Sequence, residues 1–167
     1  ICTCKIGSTN KMALLEAIRK VPGSSRLSRA QVVGLDPSTV SKIVATLIDL
    51  GLVKELGARD TGTPGRRSIM LFVVPEAAVV LIVSIGVERT KIALGKLDCS
   101  VEQLDEIPTT GDVSSYFDAL AKIVGRVLSQ PTYGKVRDLI VSVPGMLDMT
   151  SNVVFEAPNI GWANVDI

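Results

Sequence analysis

Gly34-Leu35-Asp36-Pro37-Ser38-Thr39-Val40-Ser41-Lys42, continuing to Gly51-Leu52-Val53, is the stretch on which the fold turns. Asp36 is a good helix N-cap, and Pro37 follows at the first helical position, where its missing N–H costs nothing. Val40, Ile43, Val44, Leu47 and Ile48 then recur at helical spacing as one apolar stripe. Ser38, Thr39, Ser41, Lys42 and Ala45 are left on or near the opposite face. Gly51 stands where a left-handed backbone usually closes a helix. A helix is predicted whose outward side, near its start, is small and polar.

Upstream, Met12, Leu14, Leu15 and Ile18 predict a first helix, with Asn10 as N-cap and Pro22-Gly23 as the stop. Ser24 to Leu27 reads as a loop, and Ser28 as the N-cap of a short second helix that Gly34 ends. Downstream, Val53–Leu56 and Ile69–Val74 read as two strands around the tip Gly62-Thr63-Pro64-Gly65, flanked by Arg59, Arg66 and Arg67. Three helices followed by a hairpin with a basic tip is the order of a winged helix-turn-helix, an α+β module over residues 1–75.

After Pro75-Glu76 the pattern changes. Val79–Val87, Lys91–Asp98 and Leu104–Pro108 read as three successive strands. A helix from Asp112 to about Ser129 follows, with Phe117, Leu120, Ile123, Val124 and Leu128 on its inner side. Leu139–Val143 is a wholly apolar strand of the kind buried on both faces, and Val153-Val154-Phe155 a further short one. This β-β-β-α-β order over residues 76–167 suits the opening of an α/β actin-like, ribonuclease-H-like domain.

Length and charge support two modules. A chain of 167 residues holds one ordinary domain or two small ones. Residues 1–75 carry eleven Lys/Arg against five Asp/Glu, a net +6; residues 76–167 carry seven against twelve, a net −5. Halves of opposite sign point to a polyanionic partner for the first, with chance clustering as the plain alternative. The apolar run 77–83 is broken by Ser84 and Gly86, too short for a membrane span, and no signal-peptide pattern opens the chain, so a cytoplasmic protein is expected. Three cysteines and no histidine supply neither a disulfide framework nor a closed zinc site.

A helix that enters the major groove needs short or flexible outward residues near its N-terminus so that the backbone approaches closely. Ser38, Thr39 and Ser41 meet that demand, and Lys42 adds a flexible cation for phosphate or guanine. Ser28 and Arg29, opening the second helix, are expected to meet phosphate, and Arg59, Arg66 and Arg67 to serve a neighbouring minor groove. Each feature alone is also what a solvated amphipathic helix or a surface hairpin shows. Their order along one chain favours nucleic acid. Two downstream loops, Val143 to Asp148 and Ala157 to Trp162, combine turn residues with ligand-contacting groups: Gly145 permits close approach, and the Asn159 amide both donates and accepts. On composition alone they are loops.

Taken together, Leu27-Ser28-Arg29-Ala30, Gly34 through Ser41, Leu47-Ile48-Asp49-Leu50-Gly51-Leu52-Val53, Gly65-Arg66-Arg67, Val143-Pro144-Gly145 with Asp148, and Ala157-Pro158-Asn159 with Trp162 resemble the ROK family of repressors, open reading frames and kinases. Members with the winged module are sugar-responsive transcription regulators, mostly repressors; members without it are typically sugar kinases. The resemblance therefore implies a homodimeric or higher homo-oligomeric regulator, with a double-stranded DNA operator and a small sugar effector as partners and no membrane. Gly145 and Asn159 would be effector contacts.

Three departures qualify the likeness. The second helix reads about three residues short. The family's phosphate-binding turn is degenerate, with Ser84 in place of its metal-binding Asp, Val87 in place of its second glycine and Glu88 in place of its Thr. A carboxylate there would repel a triphosphate, which implies no enzyme activity; an ATP-dependent sugar kinase with an appended regulatory module is the alternative, and a winged module used only for protein contacts a third. The family's Asn-Asp pair, its later sugar contacts and its zinc motif would lie beyond Ile167. The chain is thus expected to hold a truncated actin-like domain and no cofactor.

Overall fold

No proline interrupts residues 3–20, and in the computed structural model they run as one helix, α1 (Thr3–Lys20). Asn10 therefore lies inside the helix and does not cap it. The structure describes residues 3–59, 68–110, 112–130 and 136–167. By their internal contacts they divide into two units, Ile1–Ala77 and Ala78–Ile167.

In the first unit α1 gives way at Gly23, φ +74°, to a two-residue strand β1 (Ser24–Ser25), which pairs with β3 (Ser68–Val73) at Leu71 and Met70. Residues read as loop thus add a strand to the hairpin. Ser25 is the N-cap of α2 (Arg26–Val33): its hydroxyl accepts from the Ser28 N–H at 3.2 Å. Capping falls three residues before the expected Ser28, so the helix starts earlier than read, while Val33 still runs directly into Gly34. Gly34, φ +67°, closes it as expected. After Leu35 and Asp36 comes α3 (Pro37–Asp49), ended by Gly51 at φ +70°. β2 (Val53–Arg59) and β3 complete an antiparallel sheet of order β1-β3-β2, with a bulge between Leu56 and Ala58. Leu14, Ile18, Val40, Val44, Leu47, Val53 and Leu71 form its buried interior.

The second unit carries β4 (Val79–Ile85), β5 (Arg89–Lys96), β6 (Val101–Pro108), α4 (Val113–Leu128) and β7 (Val136–Ser142). The sheet order is β6-β5-β4-β7, with β7 parallel to β4 across the α4 crossover. A second, antiparallel sheet follows, β8 (Met146–Asp148), β9 (Val153–Ala157) and β10 (Trp162–Asp166). Strand alternation puts Val79, Leu81, Val83 and Ile85 on one face of β4, where they join Ile92 and Leu94, α4, Val154 and Trp162 in one core. Tyr116 and Trp162 meet edge-on at 5.1 Å between ring centres. Thr90, fully buried, shares hydrogen bonds with the Tyr116 and Thr109 hydroxyls at 2.7 and 2.9 Å, so no buried hydroxyl in this cluster goes unpaired. Burial holds the Tyr116 phenol above its ordinary value.

Two expectations are corrected. The buried stripe of α4 is Tyr116, Leu120, Ile123 and Val127, while Phe117 and Val124 are half-buried and Leu128 is exposed. The helix is rotated by about one residue because the aromatic cluster takes Tyr116 inward. β7, read as buried on both faces, exposes Leu139, Ile140 and Val141. It lies at the edge of the sheet among the described residues, and the core on the β4 face gathers on β4, β5 and α4, meeting β7 at its first residue, Val136. The α4 register has a direct consequence. Leu120→Ala is expected to cost about 2–5 kcal/mol, and Leu128→Ala within about 0.5 kcal/mol, in urea unfolding followed by the fluorescence of Trp162, the single tryptophan of the chain.

Candidate nucleic-acid interface

The start of α3 is built by Asp36. Its Oδ1 accepts the backbone N–H groups of Ser38 (3.0 Å) and Thr39 (2.9 Å) and the Ser38 hydroxyl (2.6 Å). Hydrogen bonding from Ser38, then from Thr39, holds the carboxyl well below the usual aspartate range, so it caps as an anion at neutral pH. Val40, Ile43, Val44 and Leu47 are buried, and the opposite stripe, Ser38, Lys42, Ala45 and Asp49, faces solvent. Thr39, Ser41 and Thr46 flank it half-buried, and the Thr46 hydroxyl returns to the Lys42 carbonyl at 3.0 Å. The structure therefore brings Ser38, Thr39, Ser41 and Lys42 onto one accessible side of one helix. Lys42 is the exposed cation in its middle.

The other expected residues fare differently. The Arg59 side chain, Arg66, Arg67 and the whole tip Gly62-Thr63-Pro64-Gly65 lie outside the described residues. Ser28 is half-buried at the start of α2, its hydroxyl accepting from Arg29 at 3.1 Å. Arg29 is not a surface cation: it is 7% exposed and donates through Nη1 to the Ala17 carbonyl at 3.0 Å. Reading it as a phosphate contact is corrected, because a carbonyl in the last turn of α1 already holds it. The second arginine of α2, Arg26, pairs with Glu55 on β2 at 2.8–2.9 Å. Lys54, exposed on the outward side of β2, is a basic candidate the sequence reading passed over; its place in the strand alternation, next to buried Val53, was the signal.

In the second unit Gly145 and Asn159 come to the same end of the small sheet. A Cβ on Gly145 would lie 2.5 Å from the Glu156 carbonyl oxygen and 2.7 Å from the Ala157 Cβ, so close strand packing alone requires glycine there. Asn159 is exposed in the single-turn helix Pro158–Ile160 that joins β9 to β10. The hairpin read against the phosphate turn is closed by its own backbone: the Gly86 N–H donates to the Arg89 carbonyl at 3.0 Å, with Val87 and Glu88 exposed. Part of the unit's acidity is neutralised locally, Glu106 by Arg89, Glu102 by Lys96 and Asp105 by Arg126.

No family model matches the chain. The xylose repressor of Bacillus spizizenii is 28% identical over 97% of this chain and 42% of its own length. The DNA-binding transcriptional repressor Mlc of Escherichia coli is 26% identical over 92% of this chain and 39% of its own. The crystal structure of a ROK family transcriptional regulator, a homologue of the Escherichia coli Mlc protein, matches with a TM-score of 0.63 and 20% identity over 96% of this chain and 41% of that one. The chain resembles ROK-family regulators along nearly its whole length. The resemblance read from the motifs is borne out, and the mixed α/β structure matches that of a ROK regulator. The chain spans about two fifths of the length of the relatives it matches. No helix among the described residues is long and apolar enough to cross a membrane.

The cap makes a pH signature. A carboxyl held below its ordinary value of 3.8 contributes stability that is full above that value and lost as pH falls through the lower, folded one. Asn caps without titrating. The stability of the unmodified chain relative to Asp36→Asn is therefore expected to stay constant above pH 5 and to shrink below pH 3.8 in denaturant titrations; a difference independent of pH down to pH 2 would contradict the cap's role.

Proposed function

We propose that the chain is the DNA-binding and leading effector portion of a sugar-responsive, cytoplasmic transcription regulator, a repressor that works as a homodimer or higher homo-oligomer. The first unit is read as a winged helix-turn-helix with α3 as the recognition helix, and the second as the opening part of an actin-like domain. One observation carries this: the helix after a short α2 and before a β-hairpin turns a small polar face, Ser38, Thr39, Ser41 and Lys42, to solvent. Such a helix fits the major groove; because Asp36 already accepts its first N–H groups, phosphate contact from this helix falls to Lys42. The names of the relatives, xylose repressor and Mlc repressor, support the same reading.

Lys42 would reach phosphate or guanine, with Ser38, Thr39 and Ser41 against base edges and Arg59, Arg66 and Arg67 at the adjoining minor groove. Sugar would act by favouring an arrangement of the winged modules that no longer matches operator spacing, through unequal affinity for the two states. Gly145 and Asn159 stand at one end of the small sheet as effector candidates. A kinase reading draws no support from the exposed Glu88 beside the glycine turn, and ATP turnover with hexoses and pentoses is expected to be nil.

The test is binding to a duplex pool selected from random sequence. Lys42→Ala is expected to weaken binding about tenfold and to lower the dependence of log affinity on log salt by about one. Unchanged binding and unchanged salt dependence would remove Lys42 from the interface. Absence of duplex binding by the unmodified chain at low salt would end the proposal.

A further inference from the structure

Arg29 is the most deeply buried cation of the first unit's described residues, and nothing in the interface uses it. Its Nη1 donates to Ala17, one of the last four carbonyls of α1, which have no donor within their own helix. A guanidinium at that end also meets the negative pole of the helix dipole. Its Nη2 donates to the Ser28 hydroxyl, and its Nε, also buried, has no hydrogen-bond partner. The group is therefore held from two sides, at the cost of a buried Nε–H without a partner.

What it holds is α2, which leads into α3 through one short turn. On α2 the Ala30 carbonyl accepts from both the Gly34 and the Leu35 N–H groups, and only Gly34, Leu35 and Asp36 separate the two helices. A rotation or shift of α2 against α1 would pass through this turn to the Asp36 cap and the face that carries Lys42. The other cation of α2, Arg26, is spent on Glu55. We propose that Arg29 is a positioning residue: it pins α2 to the end of α1 and so sets the pose of the recognition helix, without touching DNA. This rests on the DNA-reading function proposed above.

Lysine does not replace it, since an ammonium is a point charge on a flexible stem and cannot address two acceptors in a fixed plane. The experiment titrates the full chain, Arg29→Lys and Arg29→Met against the selected duplex and against poly(dI-dC), across salt concentrations, with the folded fraction of each taken from circular dichroism. Per folded molecule, Arg29→Lys is expected to lose at least tenfold in affinity for the selected duplex, to stay within twofold on poly(dI-dC), and to keep the salt dependence unchanged. Arg29→Met is expected to keep that salt dependence too. A phosphate contact predicts the reverse, near-normal binding by Arg29→Lys and a salt dependence lowered by about one in Arg29→Met, and would overturn the proposal. So would a ratio of selected to unselected affinity that stays constant per folded molecule, the mark of a residue that only stabilises. If Arg29→Met does not fold, Arg29→Lys decides between these outcomes. Failure of the unmodified chain to bind any duplex would instead strike the parent reading.

Discussion

Burial of one side of α3 is the constraint on which the first unit depends. Val40 and Val44 are fully buried, and α3 packs on both α1 and α2. Each of these side chains contributes on the order of 1.5–3 kcal/mol when removed from water. Because the helix repeats every 3.6 residues, committing that stripe to the core leaves Ser38, Lys42 and Ala45 facing out. The polar face is not chosen independently. It is what remains once the apolar face is satisfied.

The same economy governs the arginines. Four described or partly described segments of the first unit carry basic residues, yet their charge is distributed by packing. Arg29 serves an orphan carbonyl of α1, Arg26 serves Glu55, and Lys42 and Lys54 remain in water. A net +6 over residues 1–75 thus overstates the cationic surface available to a polyanion. In the second unit, surface pairs such as Arg126 with Asp105 set cations beside carboxylates, though exposed pairs add little to stability.

Glycines mark the places where backbone geometry overrides side-chain chemistry. Gly34 and Gly51 take the left-handed conformation that ends α2 and α3. Gly145 is different: its φ is ordinary, and the neighbouring β9 backbone is what excludes a side chain. A residue type that suggests ligand approach in sequence is accounted for here by strand packing, so Asn159 is the more open of the two effector candidates.

The periodic parts of the chain were legible from residues alone. The α3 stripe, the Asp36 cap, both terminating glycines and the β-β-β-α-β order follow from local rules of spacing and capping that act within a few residues. What required the tertiary structure were choices made between distant segments. Ser24 and Ser25 became a strand because β3 offered a free edge; α4 turned Tyr116 inward because Trp162 and Thr90 stood ready to receive its ring and hydroxyl. Arg29 looked like a surface cation until the Ala17 carbonyl, twelve residues away, claimed it. Local sequence sets which face a helix can bury, but only the packed neighbours decide which polar group has a partner, and hence which charges stay free to act.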